Sequence, residues 1–184
     1  MARLERGLLA ASLAALLGLL GWAGWLDGKA WLAQHLIAHA WQTTLSQGAP
    51  QRPWPWADTW PVARLTTPAG KTLYVLESTS GEALAFGPGR LAGGIGSDQA
   101  LTLAGHRDTH FAFLETLENG DSLTVQRADG ARQRFQVSSQ EVVDSQAHPL
   151  QIPRNDRQLI LITCYPFNAL TPGGPLRYVV IAQT

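Results

Sequence analysis

The sequence predicts a mainly β domain, either a closed barrel or a sandwich, that follows a single N-terminal transmembrane helix. A stretch of about 20 residues without a charged side chain, Gly7–Leu26, lies close to the N-terminus and predicts the helix. From Trp54 onward, short apolar runs alternate with Gly-, Pro- and Asp-containing turn signals. Strands at such short and regular spacing are typical of barrels and sandwiches.

The apolar stretch is predicted to be an uncleaved membrane anchor. Arg3 and Arg6 precede Gly7–Leu26, which is long enough to cross a hydrocarbon core of about 30 Å. Trp22 and Trp25 lie at its far end, where indole rings prefer the lipid–water boundary. A cleaved signal peptide is the alternative, but the run is long and no small-x-small cleavage site follows it. With the arginines inside, the rest of the chain is expected outside the cytoplasm.

Composition fits one exported domain with an attachment. The chain has 184 residues with 14 basic and 14 acidic side chains, and this balance argues against nucleic acid as the partner. We expect three segments: an anchor over 1–28, a juxtamembrane amphipathic helix and linker over 29–53, and the β domain over 54–184. The amphipathic helix is predicted over Ala30–Leu45.

Seven runs in the β domain are predicted as strands, and Thr109–Leu117 is predicted as a helix. The Gly-rich segment Gly87–Gly96 lacks the Gly-Lys-Ser/Thr ending of a phosphate cradle and is expected to be a surface loop. The Trp-rich segment Trp54–Trp60 is expected to pack at the bottom of the domain, with a lid or substrate platform as the alternative. The predicted strands are Val62–Leu65, Thr72–Leu76, Ala100–Ala104, Ser122–Arg127, Arg134–Val143, Gln158–Thr163 and Leu176–Ala182.

The only cysteine of the chain, Cys164, is the candidate nucleophile. It ends an apolar run, Gln158–Thr163, and Pro166 stops that run two residues later. A thiol at the point where a buried strand opens into a loop is placed as catalytic groups often are. A lone cysteine outside the cytoplasm has no internal disulfide partner, so it is either a functional thiol or pairs with another chain. Core filler remains the plain alternative for a free cysteine.

Two further side chains are placed to assist a thiol. A nucleophile needs a proton carrier, and a developing oxyanion needs a hydrogen-bond donor. His106 follows the predicted strand Ala100–Ala104, so it also emerges at the end of a core strand. Arg177 leads the last apolar run, where an unpaired buried guanidinium would be costly. A solvated charge at the sheet edge is the alternative for Arg177.

These residues and their surroundings resemble the sortase family. Ala104–Arg107 is similar to the sortase histidine motif, and Leu161–Cys164 resembles the family's Leu-x-Thr-Cys signature. Arg177 stands where the family has its arginine, and the match extends over about Thr72 to Ala182. The Trp54–Leu65 stretch, together with the N-terminal span, looks most like the Gram-negative class of sortases.

The resemblance implies a closed eight-stranded β-barrel with one or two short helices and a membrane-anchored cysteine transpeptidase. In sortases the cysteine attacks a C-terminal sorting signal of an exported protein, which makes Cys164 the acylated residue. His106 would protonate the leaving amine, Arg177 would bind the oxyanion, and Thr163 would shape the substrate pocket. The acyl group then passes to an amine, whose identity the sequence leaves open. No cofactor and no metal are implied, and the catalytic domain is expected on the periplasmic face of the inner membrane.

Two other functions are consistent with parts of the sequence. His106, Asp108 and His110 place two histidines and a carboxylate within five residues, as in part of a hydrolase metal site, with His148 and Asp144 as remote donors. A membrane-tethered β-barrel that binds envelope proteins without catalysis is the other. Thiol reactivity in the native state separates a catalytic cysteine from one that only fills the core.

Overall fold

The computed structural model describes residues 2–94, 97, 99–147, 157–169, 171 and 173–184. The chain divides into two compact units, Met1–Leu36 and Ile37–Thr184. The backbone is helical over α1, Ala2–Gln47. Within the predicted span, the side chains at 8–11, 14, 23 and 26 lie outside the described ones. No helix in the described part of the chain combines the length and apolarity that crossing a membrane requires.

The second unit contains a closed β-barrel, as the resemblance implied. In the described residues eight strands join in the order β1-β2-β3-β4-β7-β8-β6-β5. Closure leaves no long unpaired strand edge. The strands are β1 Pro61–Thr66, β2 Thr72–Leu76, β3 Gly89–Ala92, β4 Leu101–Ala104, β5 Ser122–Arg127, β6 Arg132–Asp144, β7 Gln158–Cys164 and β8 Leu176–Gln183.

Alternate residues of each strand fill the barrel interior. On β7, Leu159 and Leu161 belong to the main core cluster, together with Phe135 from β6. Ile160 and Ile162 face the other way, into a separate apolar cluster with Val179 of β8. Successive side chains of a strand point to opposite faces, so β7 is apolar on both of its faces. This explains the unbroken apolar run that predicted a buried strand.

Two short elements were missed by the sequence analysis. The segment expected as a surface loop over Gly87–Gly96 contains β3, which pairs in parallel with β2 through Gly89 opposite Leu76. A Cβ at Gly89 would lie 2.1 Å from the carbonyl oxygen of Ser78, so only glycine allows this approach. Helix α2, Gly81–Phe86, precedes it and begins at Ser80, whose hydroxyl accepts a hydrogen bond from the Ala83 amide.

The helix predicted over Thr109–Leu117 is shorter and tighter than expected. The structure has a 3-10 helix, η1, over Ala112–Thr116. Phe111 and Leu114, three residues apart, are both fully buried. In a 3-10 helix residues three apart share a face, so this spacing satisfies both anchors with one short turn.

The Trp-rich segment is part packed and part exposed. Trp54 contacts the edge of the Phe86 ring at 5.2 Å between centroids, in a cluster with Ile37 and Leu76. Because Leu76 lies on the outer face of β2, Trp54 packs against the side of the barrel, not against its end as expected. Trp56 is 81% exposed.

We predict that Leu161→Ala lowers the free energy of unfolding by about 2–5 kcal/mol, the range for truncating a fully buried leucine. Val142→Ala on β6 is the control, since Val142 is 45% exposed and should change stability by less than about 0.5 kcal/mol. Urea unfolding followed by tryptophan fluorescence measures both. Equal losses for the two variants would contradict the assignment of Leu161 to the interior.

Candidate active site

Strand register brings His106, Cys164 and Arg177 to one edge of three neighbouring strands. β4 pairs in parallel with β7, and Ala104 lies opposite Ile162. His106 comes two residues after Ala104, and Cys164 comes two residues after Ile162. β7 pairs antiparallel with β8, where Cys164 lies directly opposite Arg177. Directly opposed residues of an antiparallel pair project from the same face of the sheet.

The side chains of Cys164 and Arg177 belong to the outer face of the barrel. Leu161 and Val180 fill the interior, whereas Ile162 and Val179 lie in the outer cluster. Alternation therefore carries Cys164 and Arg177 to the outer face at the barrel rim. Cys164 is partly exposed and is a free thiol, so it is not core filler.

Thr163 joins the ends of the two strands that carry the histidine and the cysteine. Its hydroxyl donates to the Gly105 carbonyl at 2.7 Å, and the Gly105 amide donates to the Ile162 carbonyl at 3.2 Å. Thr163 is buried, and its hydroxyl group bonds to the backbone just after the neighbouring strand β4. The substrate-pocket role expected for Thr163 stays a prediction. The hydrogen bond joins the residue before Cys164 to the residue before His106 and so limits how far these two can move apart.

The backbone at His106 is held by a close contact beneath it. A Cβ at Gly105 would lie 2.8 Å from the Phe111 ring, so glycine is required there. Phe111 is fully buried, and its amide donates to the His106 carbonyl at 2.9 Å. The chain therefore turns tightly after β4 and leaves His106 exposed above a fixed ring.

Arg177 is oriented by the loop between β7 and β8. Its Nη1 donates to the Gly174 carbonyl at 2.6 Å and to the Leu176 carbonyl at 2.8 Å. These two acceptors use one nitrogen of the guanidinium, which carries five N–H donors in all. These bonds tie the guanidinium to the backbone at the start of β8, opposite Cys164 in the register, and leave its other donors for a ligand.

A small cleft of about 70 Å³ lies over the thiol and is lined by His106, Arg107, Asp108 and Cys164. Arg107 reaches from the cleft to the β7–β8 loop, where its Nη2 donates to the Ala169 carbonyl at 2.6 Å. Arg107 and Asp108 were not predicted to lie around the thiol. Their adjacency to His106 was the available signal.

Aromatic rings support the chain next to the thiol. Tyr165 and Tyr178 stack with ring centroids 6.0 Å apart, and the edge of Phe167 meets Tyr178 at 5.2 Å. Burial raises the pKa of the Tyr178 hydroxyl, and the nearby Tyr165 adds to this rise. Tyr178 and Phe167 also contact the barrel core, so the rings join the β7–β8 loop to the interior.

The two histidines that the metal-site alternative combined have different surroundings. His106 lines the cleft, whereas Nε2 of His110 lies 3.5 Å from the Ala85 carbonyl of α2. Burial lowers the pKa of His110, opposed by this carbonyl and reinforced by the charges of Lys71 and His106. Among the described residues no three His, Cys, Asp or Glu side chains could together hold a metal ion. His148, a remote donor in that alternative, lies outside the described residues.

The sequence of this chain is similar to those of known proteins that belong to the sortase family. The profile of the Sortase domain family matches residues 66–184. Sortase D of Bacillus subtilis (strain 168) is 30% identical over 114 residues, which cover 60% of this chain and 57% of that protein. The chain thus spans little more than half the length of this curated relative.

Two solved structures show the same fold. Sortase A from Corynebacterium diphtheriae superposes with a TM-score of 0.60 at 23% identity, over 70% of this chain and 62% of that one. A Clostridium perfringens Sortase D5 transpeptidase gives a TM-score of 0.61 at 15% identity, over 83% of this chain and 97% of that one.

We predict that Gly105→Ala destabilises the protein by about 1–3 kcal/mol, the usual cost of overpacking, because the new methyl group would collide with the Phe111 ring. The same change should also displace His106 and lower activity. Gly81→Ala, where a Cβ meets nothing within 4 Å, is the control and should leave stability unchanged or slightly higher. Thermal unfolding and a peptide-cleavage assay measure the two effects. A Gly105→Ala protein as stable as the control would contradict the packing described here.

Proposed function

We propose, since this chain belongs to the sortase family, that it is a cysteine transpeptidase acting on a C-terminal sorting signal of an exported protein. The observation that carries the proposal is the placement of three residues around the ends of β4, β7 and β8: His106 and Cys164 line one cleft, and Cys164 lies opposite Arg177 in the strand register. Each of the three side chains takes part in acyl transfer from a peptide to an amine.

The first half-reaction is acylation of the cysteine. The thiolate of Cys164 adds to the scissile carbonyl, and the oxyanion that develops accepts hydrogen bonds from the Arg177 fork. The Gly174 and Leu176 carbonyls hold that fork in place, so little reorganisation is needed as charge appears. His106 protonates the departing amine, the C–N bond breaks, and a thioester remains on Cys164.

The second half-reaction transfers the acyl group. An incoming amine adds to the thioester carbonyl, His106 accepts a proton from it, and the C–S bond breaks to restore the thiolate. Water competes with the amine and gives hydrolysis instead. The polar edge of the cleft admits the amine beside His106, since this side chain is exposed there.

We also propose that the enzyme is anchored in the inner membrane by Gly7–Leu26, with its catalytic domain in the periplasm. Support comes from the uncharged apolar run, the two arginines before it and the tryptophans after it. The same span and the Trp54–Leu65 stretch support placing the enzyme in the Gram-negative class of sortases.

Substitution of the site residues tests the mechanism. Cys164→Ala should abolish turnover and the covalent adduct, and His106→Ala should abolish turnover because the leaving amine then lacks its proton donor. Arg177→Ala should lower kcat by about 10²–10³, the loss seen when one oxyanion donor is removed, with a smaller change in KM. Arg177→Lys should restore only part, because an ammonium cannot reproduce the fork.

The assay uses peptides from the C-termini of exported proteins that contain Pro and Thr before an apolar segment, with mass spectrometry to detect the thioester. Arg107→Ala is the comparison for Arg177→Ala, since Arg107 contacts the Ala169 carbonyl and should give a milder loss. Full kcat in Arg177→Ala with a large loss in Arg107→Ala would show that the oxyanion donor had been misassigned.

The topology has its own test. Alkaline phosphatase fused after Thr184 should be active, because this reporter functions only outside the cytoplasm, and the fusion should stay in the membrane fraction. Replacing Leu13, Leu16 and Leu20 with arginine should abolish both results, since charges at the centre of a span are costly. Strong signal from a cytoplasmic reporter at the same position would contradict the proposed location without bearing on the chemistry.

A further inference from the structure

The cleft over Cys164 holds one carboxylate that the mechanism above does not use. Four residues line the cleft, and Asp108 is the acidic one among them. Its side chain is exposed, and it makes no ion pair or hydrogen bond with any residue in the described part of the chain. Asp108 is therefore available to a ligand.

The neighbouring charged groups are already engaged. Arg107 donates to the Ala169 carbonyl, and Arg177 donates to the loop carbonyls described above. On β6, Asp144 lies one residue beyond the partner of Arg177, but its carboxylate accepts from the amides of Gln146 and Ala147 at 2.8 and 3.2 Å. Among these groups Asp108 is the one carboxylate free to bind a cation beside the thiol.

We propose that Asp108 is the recognition residue for the second substrate, and that it binds the ammonium group of a primary amine. The inference rests on the proposed transpeptidase function. An amine is mostly protonated at neutral pH, so it approaches as a cation, and the guanidinium group of Arg107 already lines the same cleft. Asp108 supplies the opposite charge within the cleft, two residues after His106 in the sequence. This placement favours the amine over water, which carries no charge.

The proton balance follows from the two half-reactions. The bound ammonium first releases one proton to solvent, and the neutral amine adds to the thioester carbonyl on Cys164. His106, left neutral by acylation, accepts the second proton as the C–N bond forms and the C–S bond breaks. The products are the amide, the Cys164 thiolate and the protonated His106, which is the state that begins the next cycle.

Two small nucleophiles of different charge test the proposal. Methylamine is cationic at neutral pH and hydroxylamine is uncharged, and both can resolve a thioester. In Asp108→Asn we expect the KM for methylamine to rise by up to about fivefold, the upper end of the range for an exposed ion pair, and hydrolysis to increase at the same methylamine concentration. The KM for hydroxylamine should not change. Asp108→Glu should recover part of the preference for methylamine.

Asp129→Asn is the matched control. Asp129 is an exposed residue in the turn between β5 and β6, and its carboxylate pairs with Arg127. The substitution removes the same charge as Asp108→Asn, but at a position away from the cleft. It should leave both nucleophiles unaffected. Equal KM changes for methylamine and hydroxylamine in Asp108→Asn, or no change in either, would overturn the role of Asp108. Failure of the unmodified enzyme to form a thioester on Cys164 would overturn the proposed function itself, and with it this inference.

Discussion

The arrangement of the site depends on the parallel pairing of β4 with β7. This pairing sets the ends of two strands side by side, and the Thr163 hydroxyl fastens them by its hydrogen bond to the Gly105 carbonyl. A buried hydrogen bond of this kind contributes about 0.5–1.5 kcal/mol to stability, but leaving either partner unsatisfied costs more. Its larger effect is on geometry, because it fixes how far His106 stands from Cys164.

Packing below the strand ends completes this constraint. Phe111 occupies the space that a side chain at position 105 would need, and η1 holds Phe111 in place through Leu114. On the other side, stacked Tyr165 and Tyr178 connect the loop after Cys164 to the core. Cys164 thus ends a rigid strand, while His106 belongs to the short turn that follows β4.

The sequence predicted the strands well where hydrophobic periodicity is strong. β7 and β8 were recognisable from their Leu, Ile and Val content, and Cys164 and Arg177 from their places at the ends of those strands. β3 was not recognisable from the sequence, because glycine has no preference for strand. Gly89 is required there by the close approach of the Ser78 backbone, which the sequence does not show. The same limit applied to Arg107 and Asp108, whose place in the cleft depends on the turn that Phe111 imposes.

The Trp-rich segment shows a different limit. Its composition indicated packing, and Trp54 does pack, but the surface it covers is the outer side of β2. Which face receives an aromatic ring is decided by elements far along the chain, here Phe86 of α2 and Ile37 of α1. Periodicity within eight residues carries no information about those neighbours, so the residue type was predictable and the contact was not.

The parallel junction of β4 and β7 also has a consequence for the order of folding. Thr163 and Gly105 are 58 positions apart in sequence, and the hydrogen bond between them can form only when the intervening chain has made its excursion through β5 and β6. Contacts of such long range pay their loop-closure entropy late and slow the approach to the native state. Until that junction forms, the Cys164 thiol lacks His106 as a neighbour, so the two side chains come together only late in folding.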